Sequence, residues 1–473
     1  MAQFEIRVVS DLKSEPADPL TAKTQLRSNY LVPKAAVASR AQILKGCVVD
    51  KAPDYATKRV QKIKCYKEHD SCFVVPRHYG LRLWGPPDSE RDHSTLCDVD
   101  FPRFKGEMRD YQRSATRACI QWLTKKRGGI LQAPCGSGKT CMALKIIEQL
   151  GQRALIVVHK SILLYQWEDR IRKFFGDIPV GIIQGTKSVR KRKRKRKKRT
   201  EGPPLIYVAM AQTLHKLKLE ELPAVFGILI FDECHHVPAT TFCKAVKACP
   251  ARFRLGLTAT PRRRDGLIRI LHMHLGPVIV AVGEAKIEST TRRGYAATLR
   301  STTRLKNPDN FSMVVNDLVS NSGRTRKIAE AAQTIAKVAR KVLVLSGRIK
   351  QIHELHEIIG GDLGGVVVGS TTAKKRPGII RKSKILICSY GVATEGFDCP
   401  ELDAVVFATP CGSGGNALEQ AVGRIMRDFD KVRLKYIVDV DDWDAGGFGM
   451  LNCLTKKRLR YFVDVLKFEL RKM

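Results

Sequence analysis

GGILQAPCGSGKTCMALKIIEQL, residues 128–150, is the stretch on which the fold turns. It opens on a short apolar run, GGILQA (128–133), passes through a Gly/Ser turn, and continues as a helical pattern, CMALKIIEQL (141–150). Strand, tight loop and helix in that order are what a phosphate-binding loop requires. Glycines let backbone N–H groups close around phosphate oxygens, and the helix N-terminus favours negative charge. The cradle consists of Ala133, Pro134, Cys135, Gly136, Ser137, Gly138, Lys139 and Thr140. Lys139 is placed to reach the β- and γ-phosphates of a nucleotide, and Thr140 to hold Mg²⁺. Ala133 stands where such a pattern usually has its first Gly. A Gly/Ser turn before a helix can also arise for structural reasons alone, so other signals are needed.

Working outward, further apolar runs follow at intervals: ALIVVH (154–159), LIYVAM (205–210) and GILIFD (227–232). Each is flanked by Gly, Pro or charge. Continuous rather than alternating apolar character marks parallel strands covered by helices on both faces. The texture repeats in KVLVLSG (341–347), GGVVVGS (364–370), KILICS (384–389), AVVFAT (404–409) and KYIVDV (435–440). Two α/β units of strand–helix alternation predict two doubly wound parallel-sheet lobes, residues 106–285 and 324–450. Residues 1–105 read as a small mixed accessory domain. Residues 286–323 read as a connection, and 451–473 as a C-terminal helix.

GILIFD ends in the second chemical signal, Asp232-Glu233-Cys234-His235-His236. A carboxylate at a strand C-terminus can coordinate Mg²⁺, and the next can orient and deprotonate an attacking water. Asp232 and Glu233 fit those roles. Two surface acids after an edge strand would look similar, but this strand is continuously apolar.

The chain has 473 residues, with 84 Lys and Arg against 46 Asp and Glu, for a formal net charge of +38. Such an excess points to a polyanionic partner, nucleic acid first. The 44% hydrophobic content excludes a mainly disordered basic tail. No apolar run reaches the ~18 residues of a membrane span, so no membrane partner is expected. The start, MAQFEIRVVSDLKSEP, has no apolar segment of a secretory signal. The 14 cysteines include no CxxC pair; Cys65 and Cys72 with His69 between them lack usual zinc spacing. Scattered reduced thiols in an intracellular protein are the better reading. Residues 190–199, RKRKRKRKKR, cannot pack and predict a solvated loop: a nuclear-targeting signal, a nucleic-acid grip, or a tolerated insertion.

In order, APCGSGKT (133–140), DECHH (232–236), LTATPRR (257–263), ATEGFDCP (393–400) and QAVGRIMR (420–427) resemble the motifs of a superfamily 2 helicase. The resemblance spans about 106–445. It implies two tandem RecA-like lobes with ATP and Mg²⁺ in the cleft between them and nucleic acid across both. MRDYQ (108–112) resembles the adenine-contacting segment with Gln112 as base reader, although it would serve equally as a helix start. Thr258 and Thr260 resemble the segment coupling hydrolysis to motion. Gly396 and Asp398 resemble the loop linking nucleotide to nucleic acid. Gln420, Arg424 and Arg427 resemble the last motif, whose arginines reach the γ-phosphate; a finger of this kind is worth about 10³–10⁵ in rate in related NTPases. VVHKSILLYQW (157–167), VAMAQTL (208–214) and VLSGRI (344–349) sit where family members touch the phosphate backbone.

A finer resemblance is to the XPB-like branch. PRRRDG (261–266) resembles its segment, which carries Arg-Glu-Asp where this chain has Arg263-Arg264-Asp265. FVVPRHYG (73–80) and FKGEMRDYQ (104–112) resemble helicases of large DNA viruses, whose poxvirus relative is a DNA-dependent ATPase that releases transcripts. The implied partners are DNA, held through its backbone, and RNA polymerase or other transcription machinery. An ATP-dependent RNA helicase is the alternative. A non-catalytic basic nucleic-acid scaffold is the alternative of another class; intact Lys139, Thr140, Asp232, Glu233, Arg424 and Arg427 speak against it.

Overall fold

A computed structural model describes residues 3–8, 25–26, 29–51, 60–90, 98–134, 136–185, 203–214, 216–217, 222, 224–236, 239–259, 267–286, 294–306, 310–372, 375–394, 399–411, 416–426, 434–444 and 449–472. The chain forms two compact units, residues 4–284, and residues 285–473 together with 1–3. Each is built on a parallel sheet with helices on both faces, the α/β architecture of tandem RecA-like lobes. The basic run at 190–199 lies outside the described residues.

In the first unit seven strands pair in parallel. Their order is Val278–Lys286, Gly128–Gln132, Phe253–Thr258, Ile228–Phe231, Ala154–Val158, Ile206–Met210, Val180–Ile183, with Gln3–Val8 added beyond Val278–Lys286. Side chains alternate along a strand, so a continuously apolar strand feeds two cores. Leu155 and Val157 join one cluster, while Ala154, Ile156 and Val158 join the cluster on the other face. The helices Asp110–Lys126, Lys139–Leu150 and Ser161–Phe175 supply apolar residues to the second of these clusters.

The N-terminal segment shares the first cluster, through Tyr30, Val32, Phe73 and Val75. It adds a small mixed sheet, in which Tyr30–Pro33 and Cys72–Val75 pair antiparallel. Its helix Arg77–Trp84 is tied to the lobe: the buried Arg77 guanidinium donates to the carbonyls of Ala251 at 2.6 Å and Arg252 at 2.9 Å. His78 Nε2 lies 3.2 Å from the Gly128 carbonyl. Both attachments are at strand beginnings, the end of the sheet away from the phosphate-binding loop. The described residues between 29 and 90 therefore continue the packing of the first lobe.

The second sheet is parallel throughout, in the order Gly364–Val367, Ile385–Ser389, Lys341–Ser346, Leu402–Phe407, Lys435–Asp444, Gly294–Thr303, Glu469–Lys472. Two segments differ from expectation. Residues 286–323, read as a connection, contribute the interior strand Gly294–Thr303, paired along ten residues with Lys435–Asp444. The polar TLRSTT sequence hides this strand, because its polar side chains are accommodated by neighbours rather than by an apolar pattern. Residues 451–473, read as a helix, form the helix Gly449–Arg460, a π turn at Tyr461–Val465, and a last strand. Lys467 adopts φ +59°, which breaks the helix, and buried Phe468 then anchors the strand beside Gly294.

Three buried carboxylates around Lys435–Asp444 are held in ion pairs. Arg324 forks onto Asp442 at 2.6 and 2.8 Å and donates to the Ala408 carbonyl at 2.7 Å. Arg458 holds Asp439 at 2.7 Å and the Cys411 carbonyl at 3.2 Å. Asp403 lies between Arg340 and Lys435, each at 2.8 Å. Burial acts to raise the Asp403 carboxyl, but the Arg340 and Lys435 contacts prevail and hold it down at about 2.

Removing one partner of a buried pair leaves a charge uncompensated, at a cost of about 3–5 kcal/mol. Arg324→Met is expected to lower second-lobe stability by about that amount in denaturant titrations; an unchanged midpoint would refute the pair's role. For Asp403 the folded pKa is below the unfolded value of ~3.9. Its stabilisation is therefore full above about pH 4 and lost as pH falls toward about 2. Asp403→Asn should flatten the pH dependence of the unfolding midpoint in that window and leave its slope above pH 5 unchanged.

Candidate nucleotide site

The strands Gly128–Gln132, Ala154–Val158, Ile228–Phe231 and Phe253–Thr258 end at the same edge of the first sheet, because their parallel register aligns Gln132 with Thr258 and Val157 with Phe231. In doubly wound sheets ligands bind at the carboxyl ends of the strands. Here Gly128–Gln132 passes into the loop and then the helix Lys139–Leu150. Gly136 and Gly138 have φ of +83° and +85°, the left-handed region that only Gly enters at little cost. A Cβ on Gly138 would also sit 2.4 Å from Gln112 Nε2. Cys135 lies outside the described residues.

Inside the loop, Ser137 Oγ donates to the Pro134 carbonyl at 2.7 Å. The Ala133 N–H donates to the Thr258 carbonyl at 2.9 Å, joining the loop to LTATP. Lys139 Nζ donates to the Ala133 carbonyl at 3.1 Å and lies 3.3 Å from Glu233 Oε1. Thr140 follows it in the first turn of the helix. Gln112 is buried against the loop: its Nε2 donates to the Ser137 carbonyl at 2.9 Å, and its Oε1 accepts the Arg109 N–H at 3.0 Å. Tyr111 Oη also donates to the Ser137 carbonyl, at 2.9 Å.

Asp232 is buried just beyond the Ile228–Phe231 strand. Burial and the neighbouring Glu233 charge push its carboxyl up to about 6, against the Trp167 hydrogen bond and the Lys139 charge. Glu233 has φ +44°, strained for a residue with a Cβ by roughly 1–3 kcal/mol. The turn that imposes this strain presents its carboxylate to Lys139. His235 Nδ1 lies 2.7 Å from Thr258 Oγ1 and 3.6 Å from Glu233 Oε2. The acidic motif and LTATP are therefore linked through His235. Thr260, and Arg263-Arg264-Asp265, lie outside the described residues.

In the second lobe, Gln420 and Arg424 are buried on the helix Asn416–Ile425. Arg424 Nε donates to the Ala393 carbonyl at 3.2 Å, joining that helix to Tyr390–Thr394. Gly396, Asp398 and Arg427 lie outside the described residues. The expected backbone-contact segments are internally braced. Gln212 Nε2 donates to the His159 carbonyl at 2.9 Å, Thr213 Oγ1 accepts the Gly185 N–H at 3.0 Å, and Ser346 Oγ donates to Gln351 Oε1 at 2.7 Å.

Trp167 is the residue that sequence reasoning missed. Its Nε1 donates to Asp232 Oδ2 at 2.8 Å, while Asp232 Oδ1 accepts the Glu233 N–H at 3.0 Å. The available signal was its place on the buried face of helix Ser161–Phe175, with Leu163, Leu164 and Ile171. An indole in such a stripe must find an acceptor for its N–H. Trp167→Phe is expected to cost about 1–3 kcal/mol of stability by stripping a buried carboxylate of its donor. It should also lower the ATPase kcat by about tenfold, equivalent to 1.4 kcal/mol. A wild-type kcat in a folded variant would show that Asp232 does not need this bond.

Residues 105–263 match the family model described as Type III restriction enzyme, res subunit. A protein of Acanthamoeba polyphaga mimivirus, described as an ATP-dependent RNA helicase, is 28% identical over 87% of this chain and 79% of its own length. The DNA 3′-5′ translocase XPB2 of Sulfurisphaera tokodaii is 27% identical over 82% of this chain and 94% of its own. The structure of Saccharomyces cerevisiae Dbp5 bound to RNA and ADP BeF3 superposes with a TM-score of 0.53 at 15% identity, over 76% of this chain and 88% of that one, which supports the fold. With these relatives along most of its length and an intact nucleotide-site constellation, the chain is a superfamily 2 helicase of the XPB-like branch that includes viral helicases, a nucleic-acid-dependent ATPase.

Proposed function

We propose that the chain is an ATP-driven DNA translocase that grips the phosphate backbone and remodels DNA, with transcript release beside an RNA polymerase as its setting. The observation that carries DNA as track is the alignment to XPB2 over 94% of that translocase's length. In this reading Lys139 neutralises the β- and γ-phosphate oxygens. Glu233, held 3.3 Å from Lys139, orients the attacking water and takes its proton. Asp232 and Thr140 are the residues that would hold Mg²⁺. A buried carboxylate pushed up to about 6 beside a second acid fits a cation in that place. The metal, when bound, neutralises charge on the phosphate oxygens. The roles the resemblance implies for Gln112 at adenine, and for Gln420, Arg424 and Arg427 at the γ-phosphate, belong to the same proposal. So does the basic run at 190–199 as a nuclear address or an extra grip.

Base-specific contacts are not expected, because a moving protein must accept every sequence. The +38 charge suits retention on the track between steps. The mimivirus relative described as an RNA helicase supports RNA as the second reading. ATPase assays at one salt concentration with matched duplex DNA, single-stranded DNA and RNA decide between them. DNA should stimulate strongly and RNA little. Lys139→Ala and Glu233→Gln should each abolish the stimulated activity. Equal rates with and without nucleic acid would sink the motor reading, and stimulation by RNA alone would replace DNA as the track.

A further inference from the structure

A loop that binds phosphate has to turn N–H groups toward the anion and carbonyl oxygens away from it, because a carbonyl lone pair repels a phosphate oxygen. Three carbonyls of residues 133–140 are each held by a donor of the protein. Ala133 accepts from Lys139 Nζ at 3.1 Å. Pro134 accepts from the Ser137 N–H at 3.3 Å and the Ser137 hydroxyl at 2.7 Å. Both of these ties lie within the segment itself. Ser137 is held from outside: its carbonyl takes two donors, Tyr111 Oη and Gln112 Nε2, each at 2.9 Å.

Tyr111, Gln112 and Ser137 are all buried. The Tyr111 ring belongs to the apolar cluster of Phe104, Ala115 and Cys119, so packing fixes the direction of its hydroxyl. A buried phenol needs an acceptor, and the acceptor here is the loop carbonyl next to Gly138. A trans peptide points its N–H opposite to its carbonyl. Holding the Ser137 oxygen against Tyr111 therefore aims the Gly138 N–H the other way, at a residue whose φ of +85° opens the helix Lys139–Leu150. The two donors are not equivalent. Gln112 Nε2 also approaches Tyr111 Oη at 3.4 Å, and its Oε1 accepts the Arg109 N–H at 3.0 Å. Contact with an adenine would draw on that same carboxamide. In the proposed reaction Gln112 has this second task, and Tyr111 has none.

We propose that Tyr111 is a positioning residue for the phosphate loop: its hydroxyl fixes the Ser137–Gly138 peptide so that the Gly138 N–H meets a phosphate oxygen, and it holds that peptide when Gln112 turns to the base. The proposal rests on the assignment of residues 133–140 to nucleotide phosphates made above. One neutral hydrogen bond corresponds to roughly 2- to 10-fold in affinity. The bond acts in the ground state and the transition state alike, so its loss falls on KM rather than kcat.

The test is displacement of a fluorescent nucleotide from the full chain, with Mg²⁺ present, by ADP, by inorganic tripolyphosphate and by adenosine. Tyr111→Phe removes one oxygen and keeps the ring. It should weaken ADP and tripolyphosphate by the same threefold to tenfold and leave adenosine within twofold. KM for ATP should rise by that factor, with kcat at saturating ATP lowered less than twofold. The rise in melting temperature produced by a fixed ADP concentration should shrink, whatever the melting temperature of the variant alone. Wild-type affinity for tripolyphosphate in Tyr111→Phe would overturn the proposal. So would an equal loss for adenosine, the mark of a site disordered as a whole, or a fall in kcat with KM unchanged. If the wild-type chain binds neither nucleotide nor tripolyphosphate, the assignment of the loop itself fails, and that is visible before any variant is made.

Discussion

Two carboxylates and one ammonium share the carboxyl edge of the first sheet, and the chemistry of the chain depends on keeping them apart by ångströms. Lys139 comes from the loop after one strand and Glu233 from the turn after another, yet they lie 3.3 Å apart. Only the parallel register, which brings several strand ends to one edge, makes that possible. Asp232 is the expensive member. Its carboxylate is tolerated in the interior because an indole N–H and the Glu233 amide donate to it and Lys139 lies close by. The strained backbone at Glu233 is the local cost of aiming two consecutive acids in different directions.

The same logic organises the connections around the site. The Ala133 N–H reaches the Thr258 carbonyl, and His235 joins Thr258 Oγ1 on the acidic side. The loop that would cradle phosphate, the acid that would activate water and the LTATP segment are thus one hydrogen-bonded unit. At the other end of the sheet, Arg77 and His78 fasten the N-terminal helix to strand beginnings. The two ends of the first sheet have different tasks, chemistry at one and support at the other.

The second lobe solves a different problem. Its strand Lys435–Asp444 carries three charged side chains into a sheet covered on both faces, and each is matched by a partner distant in sequence: Asp403 for Lys435, Arg458 for Asp439, Arg324 for Asp442. Such pairs add little net stability over apolar packing but penalise every register that separates them. Residues 294–303 and 469–472 form strands where the sequence predicts a connection and a helix. Their polar patterns make sense only beside the neighbours that the fold supplies.

The sequence by itself determined the α/β class, the phosphate-binding loop and the acid pair. Each is a local property: the continuous apolar run of a strand covered on both faces, two glycines in a tight turn before a helix, two acids at the end of a strand. These features persist whatever the rest of the chain does. The tertiary structure decided what depends on distance through space. Trp167 as the donor to Asp232, His235 as the bridge to Thr258, and Gln112 against Ser137 all join residues whose separation along the chain carries no signal. A hydrogen bond needs its partner within about 3 Å, and only the packed sheet brings those partners there.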